Sequence, residues 1–260
     1  MRFRLLAALG AGVLLIAGCA TNDPSSASEP SGSREAVSGE LQVFAAASLK
    51  ESYEQIAEDL KKSNPELTIT FQYGASGQLA TQIEQGAPAD VFSSADEVSM
   101  TKLSDAGLVT KPTVIAKNVL QIVVPAGNPA NIKTLADLQN ADLTIVTCAE
   151  AAACGKITAK LQEQVGYQVA SDSQEPDVKS VLQKVSLGEA DAGLVYVTDV
   201  KSAGDKVEGI DIPEAAELSN SYPIAVVDGS ANAAAAEVFV EYVESADGQQ
   251  ILADHGFLAP

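Results

Sequence analysis

The sequence of 260 residues is poor in positive charge and in the side chains that bind metals. It has 16 lysines and arginines against 35 aspartates and glutamates, together with one histidine, three cysteines and no tryptophan. Nucleic acid is therefore not an expected partner, because phosphate contacts need clustered cations. We expect no metal site either, since one histidine and no second cysteine pair leave too few ligands.

Signals of catalysis and of cofactor binding are also missing. The segment Gly74-Ala75-Ser76-Gly77-Gln78 differs from the Gly-x-Ser-x-Gly nucleophile elbow at its last residue. His255 follows a helix-like stretch near the C terminus, where an exposed or locally bonded role is expected rather than catalysis. The sequence contains no cofactor fingerprint. We therefore expect a protein that is not an enzyme and holds no cofactor, with hydrolysis as the alternative.

Long apolar runs are confined to the N terminus. A basic start is followed by an apolar run from Leu5 to Ala17, which is too short to span a bilayer and is typical of a secretory signal. The run ends at Ile16-Ala17-Gly18-Cys19, which resembles the lipobox of bacterial lipoproteins. The prediction is a signal peptide over residues 1–18 and a lipidated Cys19 that anchors the protein extracytoplasmically to the cell membrane. A cysteine in an ordinary signal segment is the alternative.

The segment 19–40 is the next predicted unit. It contains serine, proline, glycine and acidic residues, with almost no apolar side chain larger than alanine. Such a segment cannot bury enough surface to offset its chain entropy, so it predicts a flexible tether. The remaining residues are rich enough in apolar side chains to form one large or two small domains.

Two strand-to-helix junctions place a serine among small residues. The alternating strand Leu41–Ala46 leads to Ser48, and the strand Leu67–Tyr73 leads to Ser76. Glu51 follows Ser48 by three residues, which predicts a capping box at a helix start. A helix start offers backbone N–H groups and a hydroxyl to an anion. The alternative is that Ser48 only caps its helix.

Strand-like and helix-like runs alternate along the rest of the chain, which predicts an α/β fold with largely parallel sheets. The predicted strands are Leu41–Ala46, Leu67–Tyr73, Asp90–Ser93, Val119–Val124, Leu143–Thr147, Ala192–Val197, Val207–Ile212 and Pro223–Asp228. Helices are predicted after Ser48, Ser76, Asp96, Thr134, Gly155, Asp177 and Ala231. A helix, a glycine and an aspartate precede a strand at Gly86–Asp90 and again at Gly188–Asp191, which suggests two related lobes.

The order of several short motifs carries a family resemblance. The motifs are Ala-Ala-Ala-Ser-Leu at 45–49, Gly-Ala-Ser-Gly-Gln-Leu-Ala at 74–80, Gly-Ala-Pro-Ala-Asp-Val-Phe at 86–92, Ser-Ala-Asp at 94–96, Gly-Leu-Val-Tyr-Val-Thr-Asp at 193–199 and Tyr-Pro-Ile-Ala-Val-Val at 222–227. In this order they resemble the periplasmic molybdate-binding proteins of bacterial ABC importers. The resemblance covers most of residues 41–260.

The resemblance implies a type II periplasmic-binding-protein fold, with two α/β lobes and mixed, mainly parallel sheets around a central cleft. Lobe one would comprise residues 41–118 plus 223–260, and lobe two residues 119–222. The chain would cross between the lobes twice, and two extended crossings form a hinge. The resemblance also implies the permease of an ABC importer as partner, and we expect a monomer.

The same resemblance implies a ligand, molybdate or the similar tungstate, and a set of residues that bind it. These are Ser48 and Ser76 through hydroxyl and backbone N–H, Cys154 and Val178 through backbone N–H, and Tyr196 through its hydroxyl. Ala153 and Gly155 are alternatives to Cys154, and Tyr196 could instead be an ordinary core tyrosine. Because this set only donates hydrogen bonds, protonated phosphate is expected to be rejected, whereas only cavity size separates sulfate from molybdate.

Two cysteines remain, Cys148 and Cys154, six positions apart. In a compartment that permits disulfides we expect them to pair, with two buried thiols as the alternative. Two other functions stay open. One is a binding protein for sulfate, thiosulfate or another small anion, and the other is an acidic surface adhesin or sensor lipoprotein.

Overall fold

The computed structural model describes residues 36–260. The predicted signal peptide, the lipidated Cys19 and the tether as far as residue 35 lie outside the described residues. The predicted tether is two residues too long at its other end, because Gly39 and Glu40 already belong to the first strand. No helix within residues 36–260 combines the length and the apolar character of a membrane span.

Strands and helices alternate along the described part of the chain. The strands are β1 (Gly39–Ala46), β2 (Leu67–Gly74), β3 (Val91–Ser93), β4 (Val109–Pro125), β5 (Ile145–Cys148), β6 (Ser171–Glu175), β7 (Ala192–Tyr196), β8 (Val207–Asp211) and β9 (Ser219–Val227). The α-helices are α1 (Lys50–Ser63), α2 (Ser76–Glu84), α3 (Glu97–Asp105), α4 (Ala153–Val165), α5 (Val178–Ser186), α6 (Val197–Ala203), α7 (Ala233–Glu244) and α8 (Ala246–Asp254).

Several elements differ from the sequence prediction. Helices α6 and α8 were not predicted, and α4 begins at Ala153, ahead of the start predicted after Gly155. Strand β6 was missed because its sequence, Ser-Asp-Ser-Gln-Glu, has no apolar side chain to alternate. Strand β4 begins at Val109 rather than Val119. Its early part was missed because the four residues after Val109, Thr-Lys-Pro-Thr, are exposed and contain a proline. The helix predicted after Thr134 is a 3-10 turn, Leu135–Gln139.

The strands form one mixed sheet in the order β2-β1-β3-β9-β4-β7-β5-β6, with β8 also paired to β4. Strands β1, β2 and β3 are parallel, as are β5, β6 and β7, whereas each antiparallel pair includes β4 or β9. Strand β4 pairs with β9 as far as Val119 and with β7 and β8 from Leu120 onward. We call β1, β2, β3, β9 and the start of β4 the first half, and the remaining strands the second half.

The core follows the two faces of the sheet. In β1, Val43 joins a cluster with Phe239, whereas the next residue, Phe44, joins a cluster on the other face with Leu79. This alternation is expected because successive strand side chains point to opposite faces. The second half has its own cluster, which also takes in Ala47 and Ala75 from the first half. The two halves therefore pack together through small side chains.

The aspartates of the repeated glycine–aspartate pattern, Asp90 and Asp191, form equivalent hydrogen bonds in the two halves. The carboxylate of Asp90 accepts a hydrogen bond from the Gln42 N–H at 2.8 Å, and that of Asp191 accepts one from the Thr144 N–H at 2.8 Å. Each aspartate N–H in turn donates to the carbonyl of the same partner, at 2.8 Å in both cases. Each aspartate thus fixes the start of its strand against the neighbouring strand. The predicted residue boundaries of the lobes remain a prediction.

Candidate anion-binding site

A small buried pocket lies where several strands run into helices, and all five residues predicted to bind the ligand line it. Their exposed fractions range from 1% for Ser76 and Tyr196 to 4% for Ser48, so water has little access to them. The rest of the lining is Ala46, Ala47, Gly74, Ala75, Ala95, Ala152, Ala153 and Asp177. The space open to the centres of water-sized molecules is about 20 Å³. One water needs ~10–15 Å³, so the pocket suits a compact inorganic group rather than an organic solute.

The predicted capping box at Ser48 is wrong. Ser48 lies in a 3-10 turn, Ala47–Leu49, and α1 begins only at Lys50 without a side-chain cap. This extra turn moves Ser48 away from the N-cap position. Its Oγ lies 2.9 Å from the hydroxyl of Tyr222. The alternative that Ser48 only caps its helix is therefore excluded.

Ser76 is the first residue of α2 and does not cap it either. Its Oγ accepts a hydrogen bond from the backbone N–H of Ala95 at 2.9 Å. A serine hydroxyl has one proton and two lone pairs. Because the Ala95 N–H uses a lone pair, Ser76 keeps its proton as a possible donor, and Ser76 lines the pocket.

The hydroxyls of Tyr196 and Tyr222 also accept hydrogen bonds from the protein, as Ser76 does. The Tyr196 hydroxyl accepts a hydrogen bond from Asn220 Nδ2, and the Tyr222 hydroxyl accepts one from Asn118 Nδ2 at 3.4 Å. Tyr222 can then donate to Ser48 Oγ, which frees the Ser48 proton for the pocket. Burial raises the pKa of both phenols well above the usual value, so both stay protonated. The structure therefore places Tyr196 in the core and at the pocket at once.

Three helices begin at the pocket. Ser76 is the first residue of α2, Cys154 the second residue of α4 and Val178 the first residue of α5. N–H groups in the first turn of a helix have no acceptor within that helix, and the positive end of the helix dipole lies there. The predicted cap of α5 is confirmed, because Asp177 accepts a hydrogen bond from the Ser180 N–H at 2.9 Å. The arrangement offers backbone donors to an anion.

The loop before α4 is closed by a disulfide between Cys148 and Cys154, as expected from the sequence. Ala153 and Cys154 both line the pocket. Gly155 instead packs so closely on the Ala149 carbonyl that a β-carbon would lie 2.0 Å from its oxygen. Gly155 is not part of the lining, and the choice of backbone donor among Ala153, Cys154 and Gly155 remains a prediction.

Sequence reasoning missed one carboxylate in the lining, Asp177. Its Oδ1 accepts hydrogen bonds from the N–H and the hydroxyl of Ser180, at 2.9 and 3.2 Å. It therefore works as a helix cap. No lysine or arginine is part of the lining among the described residues. Two lysines of the second half instead reach across to the first half: Lys179 Nζ lies 2.8 Å from Glu51 and Lys156 Nζ 3.0 Å from Asp96.

Asp199, which is fully buried, forms a hydrogen bond with the backbone of Tyr196. Its Oδ2 accepts a hydrogen bond from the Tyr196 N–H at 3.0 Å, and its Oδ1 forms an ion pair with Lys179 Nζ at 3.2 Å. Burial raises the pKa of this carboxyl to about 6, against the opposing effect of Lys179. The position three residues after Tyr196, inside a motif of the family, was the signal that could have identified Asp199.

His255 has no part in the pocket. Its Nε2 lies 2.9 Å from Gln55 Oε1, which is the locally bonded role expected from the sequence. Over residues 36–260 no group of three or more histidine, cysteine, aspartate or glutamate side chains is placed to hold a metal ion.

The comparisons with known proteins assign the family. The model of the bacterial extracellular solute-binding proteins matches residues 41–258. The chain belongs to this family. It is 42% identical over 251 residues to the molybdate-binding protein ModA of Mycobacterium tuberculosis, covering 95% of both chains. The resemblance carried by the motif order is thus confirmed, as is the expectation of a non-enzymatic protein, since the family consists of solute-binding proteins.

Solved structures agree on the fold. The periplasmic molybdate-binding protein of Azotobacter vinelandii is 21% identical and superposes with a TM-score of 0.71, covering 85% of this chain and 99% of that one. The sulfate-binding protein SubI of Mycobacterium tuberculosis is 20% identical with a TM-score of 0.75, covering 84% and 86%. The predicted periplasmic-binding-protein fold is confirmed. At this identity the likeness says nothing about which anion is bound.

Proposed function

We propose that this protein captures molybdate outside the cytoplasm and delivers it to an ABC importer, with tungstate as an equivalent ligand. The observation that carries this proposal is the state of the pocket hydroxyls. Ser76 and Tyr196 each accept a hydrogen bond from the protein, and Ser48 lies beside the Tyr222 hydroxyl. Each of these hydroxyls has one proton that it can donate, so they can serve an anion together with N–H groups at three helix starts.

Molybdate fits such a site because its four oxygens can only accept hydrogen bonds. A hydrogen bond to a charged group contributes roughly 1.5–3 kcal/mol. The predicted set has seven such donors: the hydroxyl and N–H groups of Ser48 and Ser76, the N–H groups of Cys154 and Val178, and the Tyr196 hydroxyl. Together they would contribute roughly 10–20 kcal/mol, which exceeds the roughly 8 kcal/mol that micromolar binding requires and leaves a margin for the costs of desolvation and closure. A cationic side chain in contact with the anion is not needed.

Phosphate should be rejected for the same reason. Hydrogen phosphate carries a proton that needs an acceptor, and none of the five residues predicted to bind the ligand offers a carboxylate. Asp177, the one carboxylate in the lining, uses its Oδ1 to cap α5 through Ser180. A donor facing a donor inside a buried pocket is unfavourable. Sulfate has no such proton and differs from molybdate in its shorter bonds, so it would reach fewer of the donors.

We further propose that residues 41–118 plus 223–260 and residues 119–222 are lobes that close around the anion. The proposal is supported by the origin of the donors, since Ser48 and Ser76 come from the first half and Cys154, Val178 and Tyr196 from the second. Strands β4 and β9 connect the halves and would form the hinge. By this proposal the protein works as a monomer, anchored to the membrane through lipidated Cys19.

The test is calorimetric titration of the purified protein with molybdate, tungstate, sulfate and phosphate at pH 7. We expect molybdate and tungstate to bind with dissociation constants of about 1 μM or below. Sulfate should bind at least about a hundredfold more weakly, and phosphate should give no heat of binding. Equal affinity for sulfate and molybdate, or binding of phosphate, would contradict the assignment.

A further inference from the structure

The two halves meet at the rim of the pocket in a contact that has no room for a side chain. Gly77, the second residue of α2, faces the backbone carbonyl of Ala151 in the loop between β5 and α4. A β-carbon on Gly77 would lie 2.8 Å from the Ala151 oxygen, a distance that real β-carbons do not adopt. Something would have to move.

The backbone conformation at Gly77 does not itself require glycine. Gly77 is not among the residues with a positive φ angle. It lies in the first turn of a helix, where alanine is the better helix former. The close approach of the Ala151 carbonyl is therefore what favours glycine at this position.

The loop that carries Ala151 is held firmly. Its ends are joined by the Cys148–Cys154 disulfide. Within it, the Ala152 N–H donates to the Ala149 carbonyl at 2.9 Å and the Ala149 N–H donates to the Glu175 carbonyl at 2.8 Å. The loop cannot retreat from α2 without breaking these bonds. A methyl group at Gly77 would therefore hold the two halves apart.

The same loop completes the pocket. Ala152, Ala153 and Cys154 follow Ala151 directly and line the pocket, and Ser76 precedes Gly77 on the opposite side. On this flank Lys156 also reaches across to Asp96 at 3.0 Å. Any gap opened between Gly77 and Ala151 would therefore separate the backbone donors of the second half from the serine hydroxyl of the first.

We propose that Gly77 is a positioning residue that determines anion affinity: its missing side chain lets the disulfide-closed loop dock on α2 and complete the pocket. Gly77 acts through the loop and does not need to touch the anion. The inference rests on the proposed function, in which the halves close around an oxyanion. It adds the requirement that Gly77 and the Ala151 carbonyl come into contact when the two halves close.

The experiment compares wild-type protein with Gly77→Ala and Gly77→Leu, and uses Gln78→Ala, an exposed neighbour on the same turn, as the control. Molybdate affinity is measured by calorimetry, the change in radius of gyration on adding molybdate by small-angle X-ray scattering, and the melting temperature without ligand by circular dichroism. We expect Gly77→Ala to bind about tenfold more weakly, because apparent affinity falls with the population able to close. Gly77→Leu should bind more weakly still and lose the compaction. Gln78→Ala should behave as wild type.

The melting temperature without ligand separates closure from folding. Alanine and leucine favour a helix more than glycine does, so we expect both variants to melt at the wild-type temperature or above it. Wild-type affinity in Gly77→Ala would overturn the inference and leave the proposed function intact, as would a lower melting temperature of the ligand-free variant. Failure of the wild type to bind any of the four oxyanions would overturn both.

Discussion

The two sides of the pocket supply hydrogen-bond donors in different ways. The serine side, Ser48 and Ser76, offers hydroxyls held by Tyr222 and by the Ala95 N–H. The helix-start side, Cys154, Val178 and Tyr196, offers two first-turn N–H groups and one phenol. The serine side therefore depends on two side-chain hydroxyls in addition to backbone N–H groups, whereas the other side depends mainly on where the backbone of two helices begins.

This difference decides how each side responds to change. A hydroxyl is removed by one substitution. A backbone N–H is displaced only by moving the loop or helix that carries it. The serine side should therefore be sensitive to single mutations, and the helix-start side to the disulfide, to Asp199 and to the contact at Gly77.

The serine side should give the largest loss of affinity. We expect Ser48→Ala and Ser76→Ala each to weaken molybdate binding by roughly 1.5–3 kcal/mol, measured by calorimetry. Ser76→Ala should also lower the melting temperature slightly, because the buried Ala95 N–H loses its acceptor. The control is Ser52→Ala, a buried serine whose hydroxyl donates to the Leu49 carbonyl. If either pocket serine behaves like Ser52, with affinity intact, that serine does not bind the anion.

The disulfide tests the helix-start side next. Cys148→Ala removes the link and leaves the Cys154 backbone in place. Opening so short a loop should lower the free energy of unfolding by about 2 kcal/mol, measured by denaturant titration. Molybdate affinity should fall as well, because the loop that positions the Cys154 N–H is released. A loss of stability with unchanged molybdate affinity would show that the disulfide stabilises the fold but does not position the Cys154 N–H.

Asp199 is tested through pH. Its pKa is raised from 3.8 to about 6 in the folded protein. Between these pH values the folded protein holds a proton that the unfolded chain has released, so stability falls as pH rises through the window. We expect wild type to gain on the order of 2 kcal/mol from this group when the pH drops from about 7 to 4. Asp199→Asn should lose that gain in melting experiments, and an unchanged pH slope in the variant would contradict the assignment.

The sequence was informative where residue type carries the function. The strand ends with glycine and alanine around Ser48 and Ser76 indicated an anion site before any resemblance was used, and Asp177 was recognisable as a cap. The backbone donors at Cys154 and Val178 came from the family resemblance, because an N–H group has no residue identity. The hydrogen bond that the Ala95 N–H donates to Ser76 Oγ could not be predicted, because a pattern of residue types does not show which two groups will meet in the fold.

The fold shows the same limit. Strands in which apolar residues alternate along the sequence, such as β1 and β2, were predicted within two residues. Strand β6 was missed because it is polar and only its pairing with β5 makes it a strand. The prediction of a capping box at Ser48 was wrong because the local sequence gave no sign of the 3-10 turn that precedes α1.

The most direct test of the central claim is a crystal structure of the protein with molybdate bound. The account predicts the oxyanion in this pocket, with its oxygens within hydrogen-bond distance of the Ser48, Ser76 and Tyr196 hydroxyls and of N–H groups at the starts of α4 and α5. A lysine, arginine or carboxylate in contact with the molybdate oxygens, or molybdate bound elsewhere with this pocket empty, would contradict it.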